Sequence, residues 1–146
     1  MDEKNPKRGI ARAHKQIVEW ARSQNLPDIL IAEDDIKFTA PKAFEYFNKT
    51  EPTEYDLYLG GITYGKINSD NSTRDFAGTH LYKIKNKFYD TFLSLPEEKD
   101  IDRSLANKGK FIVCNPFVAI QQNGFSDNLK RHQNYELYIQ ARQLFK

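Results

Sequence analysis

Apolar residues near the start of the chain recur with a period close to 3.6. Ile10, Ala13, His14, Ile17 and Ala21 share one face, and Arg12, Lys15, Glu19 and Arg22 point away from it. This pattern predicts a helix over 8–24, closed where Pro27 biases Leu26 out of helical geometry. The pattern then changes. Ile29, Leu30, Ile31 and Ala32 form a short unbroken apolar run, which predicts a strand at 29–33 covered on both faces. After "IKFT" the segment "KAFEYFNK" predicts a short helix with Pro41 near its first turn. "YDLYLGG" reads as a second strand and "GTHLYKI" as a third, separated by the polar stretch 62–77, which reads as a loop.

The later half continues the alternation. Phe88, Phe92 and Leu95 stand at helical spacing in "NKFYDTFLSL", ended by Pro96, and "EEKDIDRSLANKG" gives a short helix with Gly109 at its C-terminal cap. "KFIVC" and "FVAIQQ" are predicted strands on either side of Asn115-Pro116. Ser126 reads as the cap of a long closing helix that reaches Phe145 and carries His132 on its surface. Alternating helices and strands predict a single compact α/β domain with a mixed, mainly parallel sheet flanked by helices.

Composition narrows the function classes. With 146 residues, 39% hydrophobic and 29% charged, the chain has enough material for one ordinary core. A net charge of +2 without a basic block gives no reason to expect a nucleic-acid partner. Lys83, Lys85 and Lys87 alternate and read as a solvated face. A single cysteine, Cys114, excludes an internal disulfide and reads as a buried core thiol. No apolar stretch of 18 residues predicts a membrane span, and "MDEKNPKRG" has no apolar leader region, so the expected location is cytoplasmic. "NKT" and "NST" match the glycosylation sequon at Asn48 and Asn71 and read as chance matches.

The candidate chemistry starts at the end of the first strand. In open α/β sheets ligands bind beyond the carboxyl ends of strands, which places Glu33, Asp34 and Asp35 at the mouth of a site. Three adjacent acids repel one another, and burial would cost them solvation, so a cation is the expected compensation. Extended backbone would send Glu33 and Asp35 to one side and Asp34 to the other. Two converging carboxylates suit Mn²⁺ or Mg²⁺, which could hold a diphosphate. His80 in the third strand and His14 on the first helix are either satisfied buried histidines or ligand contacts. Asp100 and Asp102 flank Ile101, and one of them could serve as a general base. Gly60-Gly61 permits close backbone approach, but no phosphate loop, GxGxxG, zinc spacing or GxSxG elbow occurs.

Six segments in order carry a family resemblance: "GIARAHKQIVEWA", "ILIAEDDIKF", "YDLYLGG", "GTHLYKIKNKFYDTFL", "DIDRSL" and "NPFVAIQQNGFSDN". Together they resemble family 25 glycosyltransferases, the lipopolysaccharide-biosynthesis and collagen-type galactosyltransferase group. The resemblance implies a GT-A type fold and transfer of a hexose from a UDP-sugar to an acceptor hydroxyl, in surface polysaccharide or glycoconjugate synthesis. It implies that Glu33, Asp34 and Asp35 bind the metal and that Asp102 acts in the acceptor region. It makes His14, Gly60, Gly61, His80, Gln121 and Ser126 candidate cofactor-binding positions. Two departures stand out. Ala13 occupies the family's serine position before His14, and only eight residues precede Gly9, where the family carries a further β-α segment. The implied alternatives are a homodimer or partner chain that completes the site, or a catalytically degenerate domain that binds a sugar or a partner.

Overall fold

The computed structural model describes residues 5–122, 124–126, 131–133 and 144–146. Helix α1 spans Pro6–Ser23. Asn5 caps it by accepting the Arg8 backbone N–H, and Pro6 takes the first-turn position where no amide hydrogen is needed. The helix is where the sequence places it, but its inward face is rotated. The buried residues are Gly9, Ala11, His14, Val18 and Ala21, while Ala13 and Ile17 are exposed. Both stripes are apolar at helical spacing, so periodicity alone cannot choose between them.

A five-stranded sheet lies at the centre. Its strands are β1 (Asp28–Ala32), β3 (Leu57–Leu59), β5 (Ser72–Thr73), β7 (Leu81–Lys85) and β8 (Phe111–Val113), in the order β1-β7-β3-β8-β5. The sheet is mixed, as expected, but only β3–β8 is parallel. The pairs β1–β7, β3–β7 and β5–β8 are antiparallel, which corrects the mainly parallel reading. The apolar run of β1 also sits at an edge instead of the interior. Ile31 is buried and Leu30 is 37% exposed, so an unbroken apolar run here does not mean cover on both faces. The doubly covered strand is β3, buried at every position.

Helices cover both faces of β3. On one side Leu57 and Leu59 join Val18 and Ala21 of α1, Phe92 of α3 (Tyr89–Leu93) and Ile101 and Leu105 of α4 (Ile101–Leu105). On the other, Tyr58 stacks on Phe47 of α2 (Ala43–Lys49) at 4.2 Å between ring centres, beside Tyr55, Leu81, Val118 and the buried Cys114. The polar stretch 62–77 is more ordered than a loop. It holds β4 (Tyr64–Gly65), β5 and β6 (Phe76–Ala77), with Thr73 and Phe76 buried.

A second ladder pairs β2 (Ile36–Phe38) with β9 (Ala119–Gln121) antiparallel, so that Ile36 lies opposite Gln121. The expected closing helix does not start at Ser126. Here β10 (Gly124–Ser126) pairs with β11 (Arg131–Gln133), which puts His132 on a strand. The rest of that predicted helix and the Ser126 side chain lie outside the described residues. Among the described residues no helix is long and apolar enough to cross a membrane.

Candidate functional site

The acidic triplet is the turn that carries the chain from β1 of the main sheet to β2 of the second ladder. Backbone bonds fix it from both sides. The Glu33 N–H donates to the His80 carbonyl at 2.9 Å, extending the β1–β7 ladder by one residue. The Gln122 N–H donates to the Asp35 carbonyl at 2.7 Å, tying the other end to β9. Asp34 is exposed, whereas Glu33 and Asp35 are half-buried. The expected division of the three acids between two sides therefore holds, although the backbone at Asp34 and Asp35 turns.

Glu33 and Asp35 converge on one amide. Gln121 Nε2 lies 3.4 Å from Glu33 Oε1 and 3.5 Å from Asp35 Oδ2. Thr63 Oγ1 donates to Gln121 Oε1 at 3.1 Å and holds that amide in place. The second oxygen of Glu33 is 3.2 Å from His14 Nε2 and 3.5 Å from the Thr79 hydroxyl. The far side of the His14 ring is closed by Tyr82, whose hydroxyl is 2.6 Å from Nδ1. Asp35 Oδ1 is buried and has no hydrogen-bond partner among the described residues. Burial first, and the neighbouring Glu33 charge second, push the Asp35 carboxyl above the ordinary carboxylate range.

The remaining predicted residues divide. His80 is 1% exposed, and its Nε2 is 3.0 Å from the Ala119 carbonyl oxygen, so it ties β9 to the end of β7. Burial pushes its basicity down and keeps the ring neutral. Its Nδ1 is buried with no partner among the described residues. Among the described residues, Asp102 makes its contacts away from the carboxylate pair. It accepts the Gly78 N–H at 2.9 Å and lies 3.7 Å from Arg103 Nε, with its carboxyl pushed up by burial. Gly78, at φ +114, leads directly into Thr79, so Asp102 braces the strand entry that contacts Glu33. Asp100 is held at 3.5 Å from Lys7.

Gly60 and Gly61 do permit close approach, but the approaching groups belong to this chain. A Cβ on Gly60 would lie 2.6 Å from Leu81 Cδ2, and one on Gly61 would lie 2.5 Å from the Ala119 carbonyl oxygen. The pair therefore seats β9 against β3 and β7. Sequence reading placed His14, Glu33, Asp35 and Gln121 in one site and missed Thr63, Thr79 and Tyr82. Tyr82 carried a usable signal, because a buried tyrosine hydroxyl needs a partner and a histidine on a packed helix can supply one.

Among the described residues no three His, Cys, Asp or Glu side chains converge as a ready set of metal ligands. Two clefts of about 390 and 400 Å³ lie elsewhere, one against Arg22, Tyr89 and Asp90 and the other against Tyr58, Asn71 and Cys114. No protein-family model matches the chain, and no curated protein matches it.

Proposed function

We propose that the chain is a GT-A type glycosyltransferase domain that moves a hexose from a UDP-sugar to a carbohydrate acceptor hydroxyl with Mn²⁺ or Mg²⁺. The observation that carries the reading is the convergence of Glu33 and Asp35 at a strand end, with a buried oxygen of Asp35 that has no partner among the described residues. A buried carboxylate oxygen is costly unless a donor or a cation meets it. The donor set fits a hard divalent ion: two carboxylates on neighbouring positions, with the Gln121 amide able to present its oxygen by turning over. The ordered segment resemblance adds the reaction type.

The bound cation would neutralise the diphosphate and stabilise the leaving UDP. The protein's own residues have separate tasks. Glu33 and Asp35 hold charge at a fixed place, because backbone bonds to His80 and Gln122 pin both ends of the turn. His14 and Thr79 occupy one oxygen of Glu33 and leave the other towards Asp35. Asp102 retains the chemistry of a general base, with burial raising its proton affinity. A surface-polysaccharide acceptor, and a homodimer or partner chain that completes the site, belong to the same proposal.

The test is a calorimetric titration with UDP, with and without Mn²⁺, on the wild type and on Asp35→Ala. Metal-dependent UDP binding that falls at least about 100-fold in the variant supports the reading. Wild-type protein that binds UDP neither with nor without metal sinks it. One observation favours a second reading, a catalytically degenerate binding domain: the Asp102 carboxylate is already engaged by Gly78 and Arg103. That reading predicts no turnover of any UDP-sugar donor together with a stable fold without metal, and Mn²⁺-dependent donor hydrolysis excludes it.

A further inference from the structure

We infer that Tyr82 is a positioning residue of this site: its hydroxyl holds the His14 ring and, through it, the orientation of Glu33. The inference rests on the proposed role of Glu33 for its functional meaning, but not for its structural content.

The three groups form a chain across three elements. Tyr82 on β7 is fully buried, and its hydroxyl lies 2.6 Å from His14 Nδ1. His14 on α1 is 5% exposed, and its Nε2 lies 3.2 Å from Glu33 Oε2 at the end of β1. The His14 and Tyr82 rings are within 9° of parallel, with centres 5.7 Å apart. A neutral imidazole donates from one nitrogen and accepts at the other. Glu33 Oε2 is an acceptor, so the nitrogen that faces it must carry the hydrogen. Nδ1 is then a lone pair, and only a donor can satisfy it. A tyrosine hydroxyl keeps its proton at neutral pH and supplies that donor. For the neutral ring, Glu33 therefore selects the Nε2–H tautomer and Tyr82 satisfies Nδ1. Tyr82 O–H donates to Nδ1, and Nε2–H donates to Glu33.

The consequence reaches the open side of the site. With Oε2 of Glu33 occupied by His14 and Thr79, Oε1 is the oxygen presented beside Asp35. Partners behind a ligating carboxylate commonly change metal affinity by about 10- to 100-fold when removed. Tyr82→Phe removes the hydroxyl and keeps the ring, leaving His14 Nδ1 buried without a donor.

The experiment is nitrogen-15 NMR of the histidine rings at pH 7.5, where two-bond couplings distinguish the tautomers. The chain has three histidines, and loss of one signal set in His14→Gln assigns the resonance of interest. The expected wild-type result is His14 as Nε2–H with Nδ1 accepting a hydrogen bond. Tyr82→Phe should keep the Nε2–H form, which Glu33 holds, and move the Nδ1 resonance to that of a lone pair without a donor. Wild-type His14 as Nδ1–H or as the doubly protonated ring overturns the inference, and this measurement needs no variant of Tyr82 to fold. An unchanged Nδ1 resonance in folded Tyr82→Phe overturns it as well. Mn²⁺ titration of the same samples separates the two claims. Wild type that binds no Mn²⁺ overturns the metal reading of Glu33 while the nitrogen-15 result still decides the role of Tyr82. If wild type binds, Tyr82→Phe should weaken Mn²⁺ about tenfold, and an unchanged affinity removes Tyr82 from the site.

Discussion

The two ends of the β1–β7 ladder handle charge in opposite ways. At one end Asp28 lies opposite Lys85, and Lys83 Nζ stands 2.7 Å from Glu51 Oε1. Lys85 is 3.8 Å from both Asp28 and Glu51, and the Tyr55 hydroxyl donates to Glu51 at 3.0 Å. Burial alone would raise the Glu51 carboxyl, but the Lys83 and Tyr55 hydrogen bonds and the two lysine charges hold it below the ordinary range. At the other end, where Ala32 pairs with Leu81, Glu33 and Asp35 stand side by side. Among the described residues no lysine or arginine pairs with either; the donors are His14, Thr79 and Gln121. Here the Asp35 carboxyl is pushed up. The alternating lysines that read as a solvated face are thus ion-paired, and the acids that looked in need of a cation have none among the described residues. The proposed ligand belongs at the end where the described charges are left uncompensated.

The largest expected effect comes from Gly61, which brings β9 and its Gln121 to the uncompensated end. Gly61→Ala would drive a Cβ into the Ala119 backbone carbonyl, which cannot rotate away. We expect a cost of about 1–3 kcal/mol, read as a fall in Tm of roughly 2–4 °C per kcal/mol. Gly60→Ala should cost less, because the obstructing atom is the end of the Leu81 side chain. Equal and small losses in thermal melts would show that β9 is not seated as described, and the shared Gln121 contact would lose its basis.

Lys83 tests the compensated end. Its ammonium is about one-fifth exposed and Glu51 about one-quarter, so Lys83→Ala should cost up to about 1 kcal/mol. The pH dependence gives the sharper reading. The folded-state affinity of Glu51 for a proton is lowered, so its contribution is present above the unfolded value near ~4.3. That contribution is lost as pH falls through the folded value. Chemical denaturation should therefore separate wild type from Lys83→Ala at pH 7 and bring them together in acid. A difference that persists unchanged at low pH would assign the loss to packing of the lysine stem.

How much of this was legible in the sequence depends on whether one segment held the information. The α1 helix and the buried β3 strand could be read because their patterns are local. The inward face of α1 could not, since Ala13–Ile17 and Ala11–Val18 are both apolar and only the neighbouring sheet selects one. The edge position of β1 was hidden for the same reason: pairing partners are set by segments fifty residues away. The acidic turn was visible as a candidate place for chemistry from its own three residues. Its surroundings come from α1, β7, β9 and the 62–77 stretch, and Thr63 and Tyr82 carry no motif of their own.

The smallest expected effect is the most discriminating, because its sign differs from that of most substitutions. A carboxyl whose folded proton affinity is raised favours folding only at pH below its unfolded value. The advantage is lost as pH rises through the folded value, and the ionised group then opposes folding. Asp35 is in that position, through burial and the Glu33 charge. Asp35→Asn should therefore stabilise the metal-free protein at pH 7, by no more than about 1 kcal/mol for a half-exposed pair. The gain should vanish below about pH 4, where Asp35 is protonated in folded and unfolded chains alike. Added Mn²⁺ should reverse the order. Wild type would gain about 2.7 kcal/mol at a metal concentration 100 times Kd, and the variant would gain little. Denaturation at two pH values, each with and without Mn²⁺, measures all four terms. If Asp35→Asn destabilises the metal-free protein at pH 7, Asp35 has a structural partner, and the contrast between the two ends of the ladder fails at its central residue.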